Sequence, residues 1–161
     1  MMKTDMIMFR YIVLIAAIVG GLFFLSSCTK DSHEDTLREG EEYLAANAKR
    51  QGVVTTESGL QYEVLQEGKG GGRRPNVNSQ VLCRYTGTFI NGKMFDSSGK
   101  DAIAFPLNGV IKGWTEGLQL MTEGAKYRFV IPYYLAYGPY DYASIPGYST
   151  LIFEVELVQV L

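Results

Sequence analysis

Apolar and polar residues alternate through most of the chain beyond residue 59, which is the pattern of half-buried β-strands. In the first such segment the alternation places Leu60, Tyr62 and Val64 on an inner face. In the last segment it places the odd-numbered residues 151–157 inward and Ile152 outward. The longer segments predicted to be strands are LQYEVLQ, QVLCRYTGTFI, KYRFVI and STLIFEVELVQVL.

Turn residues separate these strands. The Asn91-Gly92 pair favours a hairpin that leads into a short strand at MFDSS, and Pro132 ends KYRFVI because proline cannot donate to a β-ladder. Only WTEGLQLM has room for a short helix among the strands. Several strands joined by turns, with one helix and no βαβ rhythm, predict an antiparallel α+β domain over residues 59–161.

A second helix is predicted before the domain, in DTLREGEEYLAANAKR, where the apolar residues recur at helical spacing. Gly40 weakens this helix, and Gly52 is placed where a C-terminal glycine often ends one. We interpret the helix as a spacer that packs loosely on the domain. The polar residues 29–35 before it form a tether that need not fold.

The N-terminus has the organisation of a secretory signal peptide. Lys3 and Arg10 supply a basic region, and Tyr11–Leu25 is an apolar run of 15 residues. As a helix the run would be about 22 Å long, which is short of a hydrocarbon core about 30 Å thick. Cleavage before Cys28 would divide the chain into a signal peptide (1–27), a tether with the short helix (28–58) and the domain (59–161).

The stretch LSSC, residues 25–28, resembles the bacterial lipobox, which implies that Cys28 is lipidated and anchors the protein to a membrane. By analogy with the bacterial sorting rule, Thr29 in place of aspartate implies an outer-membrane lipoprotein, with the periplasmic face preferred over the cell surface. Two alternatives stay open: an ordinary cleavage site followed by a chance cysteine, and an uncleaved N-terminal anchor.

Composition excludes several classes of chemistry. A net charge of −2 gives no electrostatic reason to expect nucleic-acid binding. The single histidine, His33, lies in the predicted tether, so hydrolytic triads have no base in the domain. One histidine and one available cysteine cannot complete a structural zinc site, and we expect neither a metal nor a cofactor. Cys83 is predicted to be an inward-facing, inert thiol.

Aromatic and branched apolar residues stand out in four blocks of the domain. The blocks are YTGTFINGKMFDSS, FPLNGVIKGWTEGLQLMTEGAKYRFVIP, LAYG and IPGYSTLIFEVELV. Taken one at a time, such residues belong more often to a core than to a site. In this order and spacing, however, the blocks resemble an FKBP-type peptidyl-prolyl isomerase domain, and the lipobox with its following helix resembles bacterial lipoprotein members of that family.

The resemblance implies a fold and a site. The fold would be an antiparallel half-barrel wrapped around one short helix, with Trp114 as the floor of a prolyl pocket and Gly113 allowing close approach. Tyr137 would face the substrate carbonyl with its hydroxyl, Asp96 would lie at the rim, and the Ile111 backbone N–H would be a second donor. The catalytic residues implied are Tyr85, Phe95, Asp96, Tyr137 and Phe153, and the substrate-binding residues are Phe105, Val110, Ile111, Trp114 and Ile145.

The same resemblance implies an isomerase that assists folding of envelope proteins, with proline-containing polypeptides as substrates and FK-type macrolides as pocket ligands. A non-catalytic chaperone that holds unfolded chains in the same pocket is the alternative. A third hypothesis is a surface-interaction lipoprotein whose aromatic residues are only core. Residues 139–144, PYDYAS, replace a segment that is usually glycine-rich in the family, which predicts altered access or substrate preference.

Overall fold

A computed structural model of the protein describes residues 32–161. The predicted signal peptide, the lipobox and Cys28 lie outside the described residues. Residues 32–161 contain two α-helices, α1 (Ser32–Asn47) and α2 (Lys112–Leu118), together with 3₁₀ turns at Leu107–Gly109 and Tyr133–Leu135. The strands are β1 (Val53–Thr55), β2 (Gln61–Gln66), β3 (Gln80–Phe89), β4 (Met94–Ser97), β5 (Ile103–Pro106), β6 (Lys126–Ile131) and β7 (Leu151–Val160).

All seven strands form one antiparallel sheet in the order β1-β2-β6-β7-β3-β4, and β5 also pairs with β3. The first half of β3 pairs with β5 and the second half with β4, while its other edge pairs with β7 along nearly its whole length. The predicted α+β class and antiparallel sheet are therefore confirmed. The short strands β1 and β5 were not predicted, because three or four residues are too few to establish an alternation.

Helix α2 lies against the inner face of the sheet, and two glycines set how close it comes. A Cβ atom on Gly113 would lie 2.5 Å from Ile131 Cγ2, and one on Gly117 would lie 2.6 Å from Phe129 Cε1. Both separations are far below van der Waals contact, so only glycine fits at these positions. The buried core between helix and sheet includes Phe129 and Leu118.

Two strand residues do not face the way that simple alternation predicts. Val64, expected inside, is 37% exposed, and Ile152, expected outside, is only 7% exposed. The residues 151, 153, 155 and 157 are buried as predicted. Ile152 and Tyr43 of α1 line one common cavity, so α1 lies close to the outer face of the sheet here.

Helix α1 packs specifically on the domain, which corrects its interpretation as a loose spacer. A Cβ atom on Gly40 would lie 2.6 Å from the Thr150 hydroxyl oxygen, so this glycine permits close packing. The helix also begins earlier than predicted, at Ser32, and therefore includes His33, whose Nε2 lies 2.9 Å from Asp141 Oδ1. Within residues 32–161 no helix has both the length and the apolar character needed to cross a membrane.

A buried amide network joins the end of α1 to β2. Asn47 Nδ2 donates to Gln61 Oε1 at 2.8 Å, and Gln61 Nε2 donates to the Leu44 carbonyl at 2.9 Å. Arg50 donates to the other amide atom, Asn47 Oδ1, at 2.9 Å. Because Asn47 and Gln61 are both buried, each bond replaces one that water would otherwise make.

We expect Asn47→Ala to lower the free energy of unfolding by about 1–3 kcal/mol, because it leaves the buried Gln61 Oε1 without its donor. The measurement is urea denaturation followed by circular dichroism. The matched control is Asn78→Ala, which removes an exposed amide and should change stability by less than about 0.5 kcal/mol. Equal stability of the two variants would contradict the role of the network.

Burial of the thiol raises the pKa of Cys83 to about 12, and the nearby charge of Glu156 adds to the shift. At pH 8 the thiolate fraction is then about one in ten thousand, against about one in four for an ordinary cysteine. In Cys28→Ser protein, where Cys83 is the one remaining thiol, we expect labelling by Ellman's reagent to be roughly a thousandfold slower before unfolding than after it. Rapid labelling of the folded protein would contradict the burial.

Candidate functional site

A cavity of about 300 Å³ opens at one end of α2. Its lining comes from strands, from the segment before α2, and from the long loop that precedes β7. Residues far apart in the chain therefore converge on one hollow. They are Tyr85, Asp96, Phe105, Gly109, Val110, Ile111, Trp114, Tyr137, Tyr142 and Phe153.

The Trp114 ring is the centre of an aromatic cluster in this cavity. Three other rings meet it in edge-on geometry, with centroids 5.1 Å away for Tyr85 and 5.5 Å away for both Phe105 and Phe153. Such T-shaped pairs are a favoured arrangement of aromatic side chains. Trp114 is only 4% exposed, so its ring is fixed by packing on several sides.

The Trp114 indole N–H is buried and has no hydrogen-bond partner among residues 32–161. An unpaired buried donor costs about 1–3 kcal/mol, and such groups are rare in folded proteins. Hydrogen bonding by the indole N–H therefore does not explain why a tryptophan is at this position. The flat apolar ring that it adds to the cavity accounts for it better.

The start of α2 places the residues at the cavity wall. Trp114 lies in the first turn of the helix, where its backbone N–H bonds the Ile111 carbonyl at 3.0 Å. The Thr115 hydroxyl donates to the Leu107 carbonyl at 2.8 Å and so ties the helix to the preceding 3₁₀ turn. Val110 and Ile111, held between these two elements, lie at the wall of the cavity.

One polar pair lies beside the aromatic cluster. Tyr85 Oη donates to Asp96 Oδ2 at 2.8 Å, and the Ser97 backbone N–H donates to Asp96 Oδ1 at 2.8 Å. Burial first, and then the hydrogen bond to the Asp96 carboxylate, together raise the pKa of Tyr85 to about 12. Tyr85 is therefore a neutral donor at physiological pH, and it orients the carboxylate.

Tyr137 provides a second hydroxyl at the cavity. Its pKa is raised by burial first, and then by Tyr142 and by the charge of Asp96, so this hydroxyl also stays protonated at neutral pH. It makes no hydrogen bond to another residue in the part of the chain that the structure describes. Within that same part, no three His, Cys, Asp or Glu side chains are grouped so as to hold a metal ion.

Eight of the ten predicted site residues line this cavity, and Phe95 and Ile145 do not. The Phe95 ring lies behind the wall, with its centroid 5.5 Å from that of Phe153 at an interplanar angle of 89°. Ile145 is buried in the core, and its backbone bonds that of Tyr142 in both directions at 2.9 Å. These two residues support lining residues from behind.

Gly109 and Tyr142 are lining residues that the sequence analysis did not place in the site. Tyr142 stacks on Tyr137 with a centroid separation of 4.6 Å and an interplanar angle of 12°. The sequence contained one signal for Tyr142 as a site residue, namely the two unusual tyrosines of PYDYAS. Their spacing alone does not reveal which of Tyr140 and Tyr142 faces the cavity.

Two family models match the chain. The model for the FKBP-type peptidyl-prolyl cis-trans isomerase matches residues 71–158, and the model for the domain amino-terminal to that isomerase matches residues 25–64. The first match begins before β3 and ends within β7. It therefore includes all of the residues that line the cavity.

Curated relatives agree with this match. The FKBP-type isomerase FkpA of Aeromonas hydrophila is 52% identical over 134 residues, which is 81% of this chain and 48% of the relative. The 22 kDa FKBP-type isomerase of Escherichia coli is 50% identical over 127 residues, 76% of this chain and 60% of the relative. The chain thus spans about half the length of the curated relatives that it matches.

Solved structures have the same fold. Escherichia coli FkpA superposes with a TM-score of 0.77 at 37% identity, over 99% of this chain and 74% of that one. A peptidyl-prolyl isomerase from Pseudomonas syringae gives 0.74 at 37% identity, over 79% of this chain and 94% of that one. The family match, the relatives and the fold lead to one conclusion: the chain belongs to the FKBP-type peptidyl-prolyl cis-trans isomerase family.

Proposed function

We propose that the protein is a peptidyl-prolyl cis–trans isomerase that binds prolyl segments of polypeptides in the cavity over Trp114. The observation that supports this most directly is the convergence of six aromatic rings on one small hollow, two of them Tyr85 and Tyr137 with protonated hydroxyls. A proline ring is apolar and flat enough to lie on an indole face. The carbonyl group before the proline is polar, so it needs a hydrogen-bond donor, which a tyrosine hydroxyl can supply.

Rotation about an X–Pro bond has a barrier of about 20 kcal/mol because it breaks amide resonance. The planar ground state has more charge separation than the twisted transition state, so water stabilises the ground state more. An aromatic cavity that excludes water therefore favours the twisted state relative to the planar one. This chemistry requires no nucleophile and no acid–base pair.

The residues divide into three roles in this mechanism. Trp114, Phe105 and Phe153 hold the pyrrolidine ring, with Val110 at the wall. The Tyr137 hydroxyl and the Ile111 backbone N–H donate to substrate carbonyls, since neither makes a hydrogen bond to the described part of the chain. Asp96, oriented by Tyr85, supplies a fixed negative charge at the rim that interacts with the amide as its charge distribution changes.

Its cellular setting is proposed from the N-terminal sequence. The apolar run followed by LSSC supports a lipoprotein anchored through Cys28, facing the periplasm from the outer membrane. One relative, 40% identical over 131 residues, is named outer membrane protein MIP of Legionella longbeachae. The clients would then be envelope proteins that fold after secretion.

The decisive experiment measures isomerisation of a prolyl tetrapeptide beside suppression of aggregation of an unfolded protein. Turnover of the tetrapeptide supports the isomerase. Suppression of aggregation without turnover would instead support the chaperone that only holds unfolded chains.

Tyr137→Phe should lower kcat/KM only about twofold to tenfold, because one neutral hydrogen bond contributes about 0.5–1.5 kcal/mol. The control is Tyr140→Phe, which removes a hydroxyl from an exposed ring in the same loop and should leave kcat/KM unchanged. Abolition of activity by Tyr137→Phe would contradict a mechanism that relies mainly on the apolar cavity.

Phe153→Ala should lower kcat/KM more than Tyr137→Phe does, because an aromatic side chain buries roughly 150–250 Å². This substitution also removes core packing and destabilises the fold by about 3–5 kcal/mol. Phe153→Leu keeps most of the volume and separates the two effects. If Phe153→Leu has wild-type stability and loses less activity than Tyr137→Phe, then the aromatic ring does not contribute more than the Tyr137 hydroxyl, and this prediction is wrong.

Trp114 is the only tryptophan, so its fluorescence reports on the cavity. Titration with a prolyl peptide or an FK-type macrolide should change the emission in a saturable way, because a ligand replaces water at the indole face. Val77→Ala, at an exposed position outside the cavity, should titrate like the wild type. Binding detected by calorimetry without a change in emission would place the ligand elsewhere.

A further inference from the structure

Two properties of Tyr142 together place it at the mouth of the cavity. It lines the cavity, yet its side chain is 58% exposed. Its ring is stacked nearly parallel to that of Tyr137, at 4.6 Å and 12°. The two rings thus form an aromatic shelf (Tyr137 and Tyr142) that runs from the cavity wall to the solvent, with apolar surface left uncovered at its outer end.

The loop holds Tyr142 in place. Its backbone N–H and C=O both bond those of Ile145, at 2.9 Å, across a tight turn in which Ala143 has a positive φ of 51°. The Asp141 carboxylate oxygen Oδ1 accepts from the Gly147 backbone N–H at 2.7 Å and lies 2.9 Å from His33 Nε2. Less conformational freedom therefore has to be lost when a ligand contacts the ring.

The size of the cavity determines what part of a substrate meets the shelf. A volume of about 300 Å³ is at the lower end of the range for ligand pockets. A proline ring on Trp114 fills only the inner part of that space. The side chain of a neighbouring substrate residue then lies at the mouth, where Tyr142 presents its exposed ring.

We infer that Tyr142 is a specificity-determining residue: with Tyr137 it contacts the side chain next to the proline and favours substrates with an aromatic side chain there. The inference rests on the proposed isomerase activity. Tyr140, two residues earlier, is 79% exposed and does not line the cavity, so it does not share this role.

The test measures kcat/KM by NMR exchange for prolyl peptides that carry phenylalanine or alanine immediately before or immediately after the proline. The wild type should prefer phenylalanine in at least one of the two positions. In Tyr142→Ala that preference should fall about threefold to tenfold, which is the range expected for one aromatic pair. Turnover of the alanine peptides, which place no ring on the shelf, should fall less in Tyr142→Ala than turnover of the phenylalanine peptides does.

Two further variants make the result specific. Tyr140→Ala removes a tyrosine from the same loop and should keep the wild-type preference. Tyr142→Phe keeps the stacked ring and should also keep the preference for phenylalanine. Loss of that preference in Tyr142→Phe would overturn the role of the aromatic shelf and assign the effect to the Tyr142 hydroxyl. An active wild type whose preference is unchanged in Tyr142→Ala overturns this inference alone. A wild type that turns over none of the peptides overturns the proposed function, and this inference with it.

Discussion

The close approach of helix α2 to the sheet is the constraint on which the site depends. Gly113 and Gly117 face Ile131 and Phe129 at separations that admit no side chain. Because Trp114 follows Gly113 directly, the distance between helix and sheet also fixes the height of the indole ring. A larger residue at 113 would lift the helix and separate the ring from the aromatic side chains around it.

The same aromatic cluster serves as core and as binding surface. Phe153 lies on the central strand β7, packs against Phe95 behind it and contacts Trp114 in front. Its position is therefore set by the sheet and not by a loop. Groups that must be held to within a fraction of an ångström are better placed on such rigid elements. The Trp114 N–H that lacks a partner is consistent with a ring selected for its shape.

Much of the domain was predictable from the sequence, because alternation and turn residues are local properties. KYRFVI forms a strand over the predicted residues, and Pro132 follows it directly. The prediction for Val64 was wrong because the last three residues of β2 are all exposed, where the register with β6 breaks. The prediction for Ile152 was wrong because its burial depends on where α1 lies, which alternation within a strand does not encode. Tyr142 was missed for a similar reason: the turn at Ala143 determines which tyrosine faces the cavity.

The position of β7 has a consequence for how the polypeptide acquires its fold. β7 lies between β6 and β3, so it joins two groups of strands that are otherwise not hydrogen-bonded to each other. It is also the last strand in chain order. Until residues 151–160 have paired, both groups have an unpaired edge, and such edges favour aggregation. The sheet is therefore complete only when β7 has paired on both of its sides.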